Sequence, residues 1–87
     1  MDSQEFIDKC KLLVAEYTNK HLDVTDNKAI TQGDIYVVWS AKILQNNKAL
    51  LSTTLSDGMY YEITFNGAKK EIYFDAYKKF ENIKYDL

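Results

Sequence analysis

IYVVWSAKILQNNKALLSTTLSDGMYYEITFNGAKKEIYF, residues Ile35–Phe74, is the stretch whose reading decides the fold. Short runs rich in Val, Ile, Tyr, Thr and Phe are separated by Asn, Asp, Gly and Ser, the pattern of strands joined by hairpins. Asn66-Gly67 between two such runs predicts a two-residue type I′ turn. That turn pairs Phe65 with Ala68, Ile63 with Lys70, Tyr61 with Ile72 and Met59 with Phe74. At the preceding corner, a two-residue Asp57-Gly58 loop would set Tyr61 beside Thr54 and mix the faces. A three-residue Ser56-Asp57-Gly58 loop pairs Leu55 with Met59, Thr53 with Tyr61 and Leu51 with Ile63. A slip of one residue would turn a strand inside out, so the three-residue loop is expected. The same criterion selects Gln45-Asn46-Asn47 for the first corner, pairing Ile43 with Ala49 and Ala41 with Leu51.

The expected sheet is a four-stranded antiparallel meander with strands at 35–44, 48–55, 59–65 and 68–74. Its inner rows are Val37-Leu55-Met59-Phe74, Trp39-Thr53-Tyr61-Ile72, Ala41-Leu51-Ile63-Lys70 and Ile43-Ala49-Phe65-Ala68. Lys70 points inward on an edge strand, a device that discourages edge-to-edge pairing.

Working outward, Phe6, Ile7, Cys10, Leu13, Val14, Tyr17 and Leu22 recur with a 3.6-residue period, predicting a helix over 3–22. Asp2 or Ser3 can cap its start, and Glu5 stands three after Asp2. Residues 23–34 are a polar connection with Ile30 as anchor. At the other end Asp75 can cap a second helix over 75–84, with Tyr77, Phe80 and Ile83 on one side. One helix is about 10 Å across, too narrow to cover four strands, so both helices are expected on the same face. The expected fold class is α+β, order α-β-β-β-β-α, as one domain spanning 1–87.

Composition narrows the function. Hydrophobic content is 46% and aromatic content 14%, enough for a core and unlike a disordered chain. The net charge is −2, and all 11 basic residues are Lys. Arg is the preferred residue for bidentate phosphate and guanine contacts, so its absence weighs against a sequence-specific nucleic-acid reader. A single Cys makes no intramolecular disulfide. Met1–Glu5 lacks the apolar core of a signal peptide, and no apolar run approaches the roughly 20 residues of a membrane helix. A cytoplasmic protein is expected, with no membrane association.

The candidate chemistry is thin. Cys10 and His21 share a helix face but stand roughly 16 Å apart along its axis, too far to share a proton; Cys10 reads as core and His21 as a helix C-terminal residue suited to the dipole. Glu62 and Glu71 fall opposite each other in this register, where two carboxylates could raise one pKa or hold a cation, although Lys69 and Lys42 can relieve them as plain surface acids. No phosphate-cradling glycine loop is present. No cofactor, no metal and no catalytic residue is expected, and the protein is read as a non-enzyme.

The outer face of the sheet carries more. Val38-Thr54-Tyr60-Tyr73 forms one row, with Tyr36 and Leu50 near its ends. Tyr is apolar along its body and polar at its tip, and it is enriched at interfaces. Tyr36, Val38, Leu50, Tyr60 and Tyr73 are therefore the candidate binding residues, for a protein partner of unknown identity or a second copy in a homodimer. The bland alternative is cross-strand Tyr pairing that only stabilises the sheet. Stacking of single-stranded nucleic acid on the same Tyr row is the alternative function, weakened by the neighbouring carboxylates.

The stretch Tyr36–Thr54, with Asp57-Gly-Met-Tyr-Tyr-Glu62, Asn66-Gly67 and Asp75–Asn82, resembles an uncharacterised family of small proteins encoded by phages and prophages of Gram-positive bacteria. The chain departs from that pattern at Ala68 and Phe80, where an acidic residue and a Trp would be expected. The resemblance implies a bacterial cytoplasm during infection or lysogeny. It implies no activity and assigns no residue a role.

Overall fold

A computed structural model of the chain describes residues 1–21 and 29–87. Leu22 and the 23–28 part of the expected connection lie outside the described residues. Helix α1 (Ser3–His21) is followed by a 3-10 turn (Gln32–Asp34) and four strands, β1 (Ile35–Ile43), β2 (Asn46–Thr53), β3 (Met59–Asn66) and β4 (Glu71–Lys78). They form one antiparallel sheet in the order β1-β2-β3-β4. The expected α+β meander with an N-terminal helix is present.

Helix α1 begins where its sequence asks it to. The Glu5 amide donates to Asp2 Oδ1 at 2.8 Å, satisfying one of the donors that a helix start leaves without a partner. That backbone bond holds the Asp2 carboxyl below its usual range. At the other end His21 Nδ1 lies 2.8 Å from the Tyr17 carbonyl oxygen, and the two rings stack at 4.2 Å. Asn19 then clamps the returning chain: its Nδ2 donates to the Ile30 carbonyl at 3.0 Å, and the Ile30 amide donates to its Oδ1 at 2.7 Å. Ile30 is buried, as its anchoring role requires.

The core lies between one stripe of α1 and the inner face of the sheet. Phe6, Cys10, Val14 and Ala15 meet Ile35, Ala49, Leu51, Tyr61, Ile63 and Phe65. Thr18 donates a buried hydrogen bond to the Tyr61 hydroxyl at 3.4 Å. α1 packs chiefly over β1, β2 and β3; β4 reaches it through Phe74, whose ring centroid is 5.1 Å from that of Tyr17.

The registers differ from expectation in an instructive way. At the last corner Phe65 pairs with Ile72 and Ile63 with Phe74, so the loop is Gly67–Lys70 rather than Asn66-Gly67. Asn66 Oδ1 accepts from the amides of Ala68 and Lys69 at 3.1 and 3.2 Å, an Asx-type turn that competes with type I′. Lys70 takes the left-handed backbone position, φ 53°, and is exposed in the loop, not inward on an edge strand. Both loops hold an even number of residues, so the inner face keeps its even-numbered side chains. The gain is Phe74 opposite Ile63, where the shorter turn would have put Lys70.

This shift also removes the expected second helix. β4 now runs to Lys78, with Tyr60 opposite Tyr77 and Met59 opposite Lys78. Asp75, the proposed cap, lies inside a strand, and residues 79–87 form neither helix nor strand. The corner before it moves too: Leu51 pairs with Tyr61 and Ala49 with Ile63, two residues from the expected alignment and of the same parity.

β1 is where parity itself changes. The turn after it is the two-residue Leu44-Gln45, with Leu44 at φ 57°. An even loop in place of an odd one puts Trp39 opposite Leu50, Ala41 opposite Lys48 and Ile43 opposite Asn46, all on the outer face. A bulge between Val37 and Trp39 then inserts one residue and reverses the alternation, returning Val37 and Ile35 to the inner face opposite Leu51 and Thr53. Trp39, expected at the centre of the core, is 43% exposed and Ile43 71%. Ser40 takes the position opposite Ala49, beside Phe6 and Ile7 of α1.

Candidate functional site

The outer face is built from the side chains that alternate away from α1. Reading across β1 to β4, its rows are Tyr36-Ser52-Tyr60-Tyr77, Trp39-Leu50-Glu62-Asp75 and Ala41-Lys48-Thr64-Tyr73. Tyr36 is exposed near the start of β1, and Val38 is exposed in the bulge beside Trp39. Leu50 and Tyr60 are half-buried, and Tyr73 is exposed. All five expected residues are thus at least partly accessible, but not in the expected row. Tyr60 faces Tyr77, whereas Tyr73 stands opposite Thr64.

Three aromatic or aliphatic residues were missing from the expectation. Trp39 and Ile43 reach this face through the β1 parity change, and Tyr77 through the lengthening of β4. A longer β4 was legible in Tyr73, Asp75 and Tyr77, which alternate polar-tipped residues outward with Phe74 and Ala76 inward. The bulge left no comparable signal, since Val37, Val38 and Trp39 fit either face. Trp39, Ala41 and Ile43, with Lys48 and Thr64, line an open depression of about 420 Å³.

Charge divides the face. Lys48 Nζ lies 3.4 Å from Glu62 Oε1, and Glu62 stands opposite Asp75, not Glu71. The expected Glu62–Glu71 pair does not form: Glu71 lies opposite Asn66 and accepts a hydrogen bond from the Tyr73 hydroxyl at 2.7 Å. That bond, with the carboxylate's charge, holds the Tyr73 hydroxyl above its ordinary pKa. Lys79 Nζ sits 6.0 Å from the centre of the Tyr60 ring, at the outer limit of a cation–π contact. Apart from Lys48 and Ser52 the β1–β2 side is therefore largely apolar and aromatic, and the β3–β4 side carries Glu62, Glu71 and Asp75.

Cys10 and His21 are not a catalytic pair. Cys10 is fully buried and its thiol is pushed up to about 12 by burial, whereas His21 is exposed and stacked on Tyr17. Burial also raises the Tyr61 hydroxyl. The consequence for stability has a definite sign. In the unfolded chain a thiol titrates near ~8.5, so above that pH the unfolded state releases a proton the native state keeps. This contribution is whole below about pH 8.5 and is lost as pH rises toward 12. Denaturant midpoints measured from pH 8 to 11 should fall, and fall less steeply in Cys10→Ala. Native protein should resist a thiol-reactive dye; rapid labelling before unfolding would contradict the buried assignment. Among the described residues, no group of three or more His, Cys, Asp or Glu comes together to hold a metal ion, and no helix is long and apolar enough to cross a membrane.

The comparison with protein families follows the same residues. The model of a family of unknown function, DUF6275, matches residues 7–87, from the second residue of the α1 stripe through all four strands. The chain belongs to DUF6275. Neither a curated protein nor a solved structure matches it. For this DUF6275 member the match covers the whole outer face, so every residue named above lies inside the family's extent.

Proposed function

We propose that this chain is a small non-catalytic accessory protein that acts by binding another protein through the outer face of its sheet. The phage or prophage setting is part of the proposal and rests on the resemblance of the strand region. The observation that carries it is the exposure of Trp39, with Tyr36, Val38 and Ile43 along the same strand. Trp and Tyr supply most binding hot spots, and monomers seldom leave clustered apolar side chains on one surface without use. The partner fits the charge division: an apolar ridge to lie against β1 and β2, flanked by Lys or Arg to meet Glu62, Glu71 and Asp75. Base stacking needs a basic groove beside the aromatics, and here the neighbours are acidic, which favours protein over nucleic acid.

Affinity capture from host lysate, run in parallel with Trp39→Lys, tests the reading. Once a partner is purified, the variant should bind about 30-fold or more weakly, the effect of losing one hot spot of ~2 kcal/mol. A partner bound equally well by Trp39→Lys removes the outer face from consideration. A gel shift with mixed single-stranded oligonucleotides that weakens with added salt would move the assignment to nucleic acid.

A further inference from the structure

The inner face of β4 is the part of the sheet that α1 covers least. Ile72 and Phe74 are only half-buried and Ala76 is exposed. Beside Phe74 runs a groove of about 280 Å³ lined by Leu13, Glu16, Tyr17, Lys20 and Phe74. A cavity of ~150 Å³ holds benzene, so the groove has room for a phenyl ring. The same chain carries side chains suited to it. Phe80 is 96% exposed, and Ile83, Tyr85 and Leu87 are exposed as well. They sit on a nine-residue segment outside helix and strand, held at its base by the Lys79 amide donating to the Gly58 carbonyl at 2.8 Å.

No residue of the arm lines the groove within one copy. The radius of gyration is 14.4 Å, against about 12 Å for a compact chain of this length, which fits an arm standing off the body. We propose that residues 80–87 of one copy dock against the Tyr17–Phe74 groove of a second copy, and reciprocally. Each copy has one arm and one groove, so a two-fold exchange satisfies both and closes. Phe80 and Tyr85 alone remove at least about 300 Å² per arm. With Ile83, Leu87 and the surface they cover, two arms reach the roughly 1,200 Å² of a stable interface. Charges at the edges are complementary: Glu81 can meet Lys20 of the groove, whereas Lys84 and Asp86 pair with each other within the arm at 3.3 Å.

Light scattering decides it. The wild-type chain should weigh twice 10.1 kDa at micromolar concentration. Phe80→Asp with Ile83→Asp should weigh one chain, with unchanged far-ultraviolet circular dichroism, because neither residue touches the core. Trp39→Lys should remain at two chains, so loss of the arm interface and loss of the outer-face interaction are read separately. A single-chain mass for the wild type up to about 100 μM overturns the proposal, including the case in which the arm folds back on its own groove. So does a doubled mass that survives the two Asp substitutions.

Discussion

Leu51→Ala should lower the unfolding free energy by about 2–5 kcal/mol, or roughly 10–40 °C in Tm for a domain this small, whereas Trp39→Lys should leave a folded protein. Leu51 is fully buried between Val37 and Tyr61 in register, and an 87-residue chain has little reserve against such a cavity. Trp39 is the larger residue, but it stands on the outer face with its ring partly in water. A Lys there extends into solvent. In the alignment that the sequence favours, position 39 is the middle of the core, and a Lys would bury an unpaired charge. Leu51 faces inward in both alignments and serves as the core control, so thermal unfolding of Trp39→Lys measures the parity of β1. If Trp39→Lys fails to fold, the bulge at Val37–Trp39 is in the wrong place.

Gly67→Ala should cost about 1–3 kcal/mol, in the range of overpacking into a site that cannot yield. A Cβ at Gly67 would collide with the carbonyl oxygen of Gln45 and come within 2.9 Å of Gln45 Cβ. The tight approach joins two corners: the Gly67 amide also donates to Asn46 Oδ1 at 3.1 Å. The reason for glycine here is space, since Gly58 is the glycine with a left-handed backbone, φ 70°. The two sites separate by substitution. Asn tolerates the left-handed region, so Gly58→Asn should be mild and Gly67→Asn as damaging as Gly67→Ala. Urea titrations of the three variants test this, and a well-tolerated Gly67→Asn would argue for the two-residue type I′ turn instead.

The candidate face shows how far local pattern carries. Leu50, Tyr60 and Tyr73 were readable as accessible because their strands alternate cleanly and the residues that oppose them inward are unambiguous; Tyr36 and Val38, on the bulged strand, are exposed as well. Their arrangement was not readable. Which Tyr faces which depends on loop lengths, and each loop competes with another whose turn chemistry is nearly as good. At Asn66 the side chain can cap two amides or sit in a type I′ turn, and the winner is chosen by what it places opposite Ile63. Trp39 was hidden for a different reason. Its neighbours Val37 and Val38 suit either face, so alternation through the bulge carries no information.

The amino-acid sequence by itself determined the helix at the start, with its cap narrowed to Asp2 or Ser3, the antiparallel meander, and the inward parity of β2, β3 and β4. These follow from period and turn composition, which are local. It also determined that Cys10 belongs to the core and that Ile30 anchors the chain after the helix. Only the tertiary structure decided the β1 bulge, the exposure of Trp39, and the conversion of residues 75–78 from helix to strand. In each case a local preference was outweighed by pairing: β3 offers backbone partners and Tyr60 offers a neighbour to Tyr77 as far as Lys78, and a strand bonded along its length beats a short helix with nothing to pack on.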